Sequence, residues 1–154
     1  EGPQTRHTGF LQPRAGMASS PPAPLASFDA YQLSSAAAQA CQGMIAVRLG
    51  WLTGQETIPE TTSVLVQVLA EDGRLLAQAD GPPFGIRPGL LAAPPDALLV
   101  DLRKINVAAE ETAVPHTVLV GVYDFATGTR RTAVAASGQQ LPENAWRLPI
   151  ASCP

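Results

Sequence analysis

Lysine is almost missing from this chain: Lys104 stands alone, and the ten basic residues are outnumbered by thirteen acidic ones for a net charge of −3. Nucleic-acid binding draws its affinity from clustered Lys and Arg against phosphates, so that partner class is excluded. Charged residues of both signs make up only 15% of the chain, yet no apolar run approaches the roughly 20 residues of a membrane helix. The sequence therefore predicts no membrane insertion by this segment.

Histidine is equally scarce. His7 lies in a proline-rich leader and His116 follows Pro115 directly. With no serine in a Gly-x-Ser-x-Gly elbow, the nucleophile, base and orienting acid of acyl transfer have no candidates. Asp72, Asp80, Asp101 and Asp124 each sit beside a turn or a strand end, where aspartate caps backbone groups. No dense aspartate run offers a calcium loop, and two cysteines do not make a zinc site. The expectation is a protein that is not an enzyme and carries no cofactor and no metal.

Aromatic residues make up 5% of the chain, too few for a broad sugar-stacking platform. Trp51 shares a strand face with Ile45, Val47 and Leu49, which places it in the core. Trp146 and Tyr31 remain as the candidates for ligand contact. Cys41 and Cys153 are either two free thiols or one disulfide, and a bridge would close a loop of about 110 residues.

Fifteen prolines and thirteen glycines divide the chain into short runs rich in Val, Leu and Ile, the pattern of an all-β protein. Residues 1–26 read as a linker or draped N-terminal arm, with Phe10, Leu11 and Met17 available to pin it to the domain or to a second copy. Residues 27–154 read as the folded domain. Strands are predicted at Phe28–Leu33, at Met44–Leu52 and at Ser63–Ala70 with Val64, Val66 and Val68 inward. An Asp72-Gly73 hairpin leads to Leu75–Ala79. A strand at Ala97–Arg103 has Leu98, Val100 and Leu102 inward, and the remaining strands are Thr117–Asp124, Arg131–Ala136 and Trp146–Ala151. The run SSAAAQACQ, rich in alanine but too short for an independent helix, reads as a loop or a single helical turn. About eight strands at this spacing predict an antiparallel, immunoglobulin-like β-sandwich.

Within this layout Thr117–Asp124 is the strand around which the others are arranged. Val118, Val120 and Val122 line one face and Leu119, Gly121 and Tyr123 the other, so both faces are apolar, and Asp124 with Thr127-Gly128 ends the strand in a turn. Leu65, Leu69 and Leu119 would form an apolar patch on a second sheet face, open to self-association.

The succession VLVQVLAEDGRLLAQADGPP, LLVDLRKINV, TVLVGVYDFATGTRR and SGQQLPENAWRL is similar to a β-sandwich domain found in Chloroflexi-type bacteria. That domain sits at the C-terminus of large membrane proteins of the dolichyl-phosphate-mannose mannosyltransferase class and in proteins of unknown function. The resemblance spans about Phe28 to Ala151 and rests on Gly81-Pro82-Pro83 together with Tyr123-Asp124 and Thr127-Gly128. It implies an extracytoplasmic, non-catalytic accessory module, tethered through a membrane part that precedes Glu1, with glycan or an envelope protein as partner. Glu1 in place of Met, and first residues without the sections of a signal peptide, fit a domain cut from a longer protein.

Overall fold

The computed structural model describes residues 8–12, 23–52, 54, 58–85, 96–109 and 111–154. The fold is all-β. Among the described residues eleven strands are formed: β1 (Thr8–Gln12), β2 (Ala26–Phe28), β3 (Tyr31–Cys41), β4 (Met44–Leu52), β5 (Thr62–Ala70), β6 (Leu75–Gln78), β7 (Leu98–Asn106), β8 (Pro115–Asp124), β9 (Ala133–Ala135), β10 (Trp146–Pro149) and β11 (Ala151–Ser152). One sheet runs β1-β7-β4-β3-β2-β9, with β11 added to β3, and the other runs β10-β8-β5-β6. All pairings are antiparallel except β11 with β3.

The inward faces of three strands follow directly from alternation. Ile45, Val47, Leu49 and Trp51 of β4, Val64, Val66 and Val68 of β5, and Val118, Val120 and Val122 of β8 are all buried in one cluster between the sheets. β8 lies inside its sheet, between β10 and β5, and it carries apolar residues on both faces because its outer face is covered as well as its inner one. Its second face packs Leu119 with Leu65, Leu69, Ala145 and half-buried Tyr123. Gly121 on that face lets the chain after β9 pass close by. A Cβ there would lie 3.3 Å from the carbonyl oxygen of Asn144 and 3.6 Å from Leu65.

Four expectations are corrected. Phe28–Leu33 is not one strand: Asp29, at φ 53°, reverses the chain between β2 and β3. The alanine-rich run is neither loop nor helical turn but most of β3, paired with β4 from Gln32↔Leu52 to Cys41↔Met44 across a bulge at Leu33/Ser35. A segment of this length cannot pay for helix nucleation alone, whereas a preformed neighbour supplies ladder bonds residue by residue. The last strand is broken at Ile150, and its two halves belong to different sheets.

The fourth correction concerns β7, whose inward residues are Leu99, Asp101, Arg103 and Ile105. Leu98, Val100 and Leu102 turn to the opposite side, where Leu98 reaches over Gly50. A Cβ on Gly50 would meet Leu98 Cδ1 at 3.3 Å and collide with the Ser35 hydroxyl. Two alternating phases were open to this strand, and the one that carries an acid and a base is the one that faces the core.

Candidate functional site

The two charged side chains at the sandwich interior form a closed unit. Asp101 and Arg103 are both fully buried and, two apart on a strand, project from the same face of β7. Arg103 Nε donates to both Asp101 oxygens at 3.2 Å, and Nη2 donates to Asp101 Oδ2 at 2.7 Å and to Pro82 O at 3.3 Å. Nη1 donates to Ala79 O at 2.5 Å and to Val64 O at 3.3 Å. Every nitrogen of the guanidinium is thereby engaged, and Phe84 N–H adds a 3.4 Å bond to Asp101 Oδ2. The unit ties the Ala79–Phe84 segment to β5 and β7. Neither side chain is open to solvent.

Three other aspartates are also engaged in structure. Asp124 Oδ1 accepts the backbone N–H groups of Ala126 (2.8 Å) and Thr127 (3.2 Å), and Oδ2 accepts the Thr61 hydroxyl at 2.8 Å. These donors, the Thr61 hydroxyl first, hold its carboxyl below the ordinary range. Gly128, at φ 74°, then donates its N–H to Asp124 O at 2.7 Å and closes the turn. Asp72 accepts Arg74 N–H at 3.0 Å in the β5–β6 hairpin. Asp80 accepts Val66 N–H at 2.8 Å, and burial is the main force raising its pKa. His116 is exposed, with Nδ1 2.9 Å from the Thr117 hydroxyl.

Glu111 receives a two-pronged ion pair from Arg74, Nη1 to Oε2 at 2.8 Å and Nη2 to Oε1 at 2.9 Å, together with Ala113 N–H at 2.9 Å. The Arg74 hydrogen bonds, then Ala113, hold its carboxyl at about 2 instead of 4.5. Because the folded-state value is the lower one, the contact's contribution to stability is present above the unfolded value and is lost as pH falls toward 2. Titration of the Glu111 side-chain carbon by NMR should show its midpoint near that value. Arg74→Ala should move the midpoint upward, though not fully to 4.5 because the Ala113 N–H remains; an unmoved midpoint would rule out the pair as its cause.

The aromatic candidates are separated by their strands. Tyr31 opens β3 in one sheet, with its hydroxyl 3.3 Å from Thr62 Oγ1, and Trp146 opens β10 in the other, opposite Val120. Both rings are half-buried and packed against the core. Trp51 is in the core as expected, tilted at 57° to Phe28 with ring centroids 5.9 Å apart. Its indole nitrogen is buried without a hydrogen-bond partner among the described residues.

Leu65, Leu69 and Leu119 do not form an open patch. Each is at most 6% exposed beneath the segment that carries Ala145, so the apolar surface that would have drawn a second copy is covered within the chain itself. Of the N-terminal arm, Thr8–Gln12 forms β1 along the β7 edge, with Thr8↔Leu102 and Gln12↔Leu98 at the ends of the register. Met17 lies outside the described residues.

Cys41, at the end of β3, and Cys153, just after β11, are joined by a disulfide with their Cα atoms 5.3 Å apart. Sequence reasoning held the two thiols as candidates, but their pairing depends on β11 lying beside β3. The buried ion pair was missed altogether. The signal for it was Asp-x-Arg inside an otherwise apolar strand, two opposite charges spaced to neutralise each other on one face. No protein family, curated protein or solved structure matches the chain.

Proposed function

We propose that this chain is a non-catalytic accessory module, immunoglobulin-like in organisation. In this reading it works outside the cytoplasm as part of a membrane-anchored, glycosyltransferase-like protein and contacts glycan or an envelope protein there. The observation that carries the reading is how the polar side chains are used. Asp101 neutralises Arg103, Asp124 and Asp72 cap turns, Asp80 holds a β5 amide and Glu111 pairs with Arg74. A catalytic centre needs titratable groups directed at a substrate, and these are directed at the fold. The Cys41–Cys153 bond supports an oxidising compartment.

Trp146 and Tyr31 keep partly exposed rings and are the groups offered to a ligand. The chain should be applied to an array of bacterial envelope glycans and tested for capture of envelope proteins. Binding to at least one glycan is expected, weakened by about tenfold or more in Trp146→Ala, the loss of one well-placed aromatic contact. Silence across glycans and envelope proteins would refute the recognition role.

A further inference from the structure

After β10 the chain leaves its sheet. Ile150 N–H donates to His116 O at 3.3 Å, and β11 then pairs in parallel with Gln39 and Ala40 of β3 in the opposite sheet. This strap is two residues long, and Ala151–Pro154 are all exposed. One further backbone bond, Cys153 N–H to Ala40 O at 3.0 Å, completes its non-covalent attachment. An attachment with no buried side chain and so few ladder bonds lies at the low-stability end of a folded protein. What holds the strap on β3 is the covalent bond from Cys153 to Cys41.

The edge beneath the strap is unusual. β2 covers Tyr31–Leu33 and β11 covers Gln39–Ala40, while Ser34–Ala38 between them carry no strand on that edge among the described residues. Release of β11 would make Ser34–Cys41 one uninterrupted open edge, a template for strand pairing. The core would be untouched, because the buried cluster contains none of residues 151–154. Cys153 is exposed and Cys41 half-buried, so the bond faces solvent reagents.

We propose that the Cys41–Cys153 disulfide is a redox-operated latch that keeps the β3 edge covered, an inference that goes beyond the accessory-module reading. The thiolate of a dithiol reductant attacks Sγ of Cys153, and the bond to Cys41 breaks as the new S–S bond forms. Cys41 leaves as a thiolate and takes up a proton. The reductant's second thiol then displaces Cys153, so the cysteine pair gains two electrons and two protons while the dithiol is oxidised to a disulfide.

The test is the amide spectrum of the full chain before and after complete reduction by dithiothreitol, with reduction verified by thiol count. The signals of Ala151, Ser152 and Cys153 should move to random-coil positions and those of Ala38 and Ala40 should shift, while Val66, Val118 and Val120 keep their native positions. Reoxidation should restore the first spectrum. The double variant Cys41→Ser/Cys153→Ser should show the released state without reductant. Native β11 signals in the reduced protein or in the double variant would overturn the latch. So would collapse of the whole spectrum, which would make the bond a staple for the entire domain.

Discussion

Arg103→Met should lower the unfolding free energy by about 3 to 5 kcal/mol, the cost typical of stripping a buried ion pair of one partner. Three carbonyls, Val64 O, Ala79 O and Pro82 O, lose a donor in this variant, and Asp101 is left as a fully buried carboxylate facing an apolar side chain. Asp101→Leu should cost a comparable amount through the mirror-image defect, an uncompensated guanidinium. The double replacement Arg103→Met/Asp101→Leu should recover much of the loss, because taking both charges out of the interior removes the desolvation penalty along with the attraction. Urea unfolding of the four proteins at neutral pH measures all of this. Strict additivity of the two single changes would mean that the groups do not act as a pair.

Removal of the disulfide in Cys41→Ser/Cys153→Ser should lower stability by about 4 to 5 kcal/mol on the loop-entropy account. The reason is length: the two cysteines are 112 residues apart, so the bond restricts nearly the whole described domain when it unfolds. The same variant should show a larger dependence on denaturant concentration, since an unfolded chain without a cross-link exposes more surface. An unchanged unfolding midpoint would show that the bond contributes nothing to global stability. The effect belongs to the unfolded state, and it is compatible with a folded state in which only β11 has come loose.

Much of the sandwich could be read from local pattern. The runs MIAVRLGWL and SVLVQVLA alternate so that a single phase places every large apolar residue on one side, and that phase is the buried one. The hairpin at Asp72-Gly73 and the turn after Asp124 were legible because their chemistry is local. Gly73, at φ 84°, and Gly128 adopt the left-handed backbone that glycine accepts at no steric cost. The run ALLVDLR defeated the same reasoning because both of its phases carry apolar residues, and choosing by hydrophobicity alone puts Asp101 and Arg103 outside. Their burial is tolerable only because each neutralises the other and the Ala79–Phe84 segment supplies carbonyls, and those carbonyls lie more than a dozen residues away in sequence.

The amino-acid order by itself determined the all-β class, the inward faces of β4, β5 and β8, and the turns that separate strands. These follow from periodicity two and from the conformational limits of glycine, proline and aspartate, which act over a few residues. Tertiary structure alone decided that an alanine-rich run becomes the strand β3, that β7 turns its charges inward and that β11 changes sheets to bring Cys153 to Cys41. Each of those outcomes depends on which distant strand supplies hydrogen bonds or removes water, and a short segment contains no record of its neighbour.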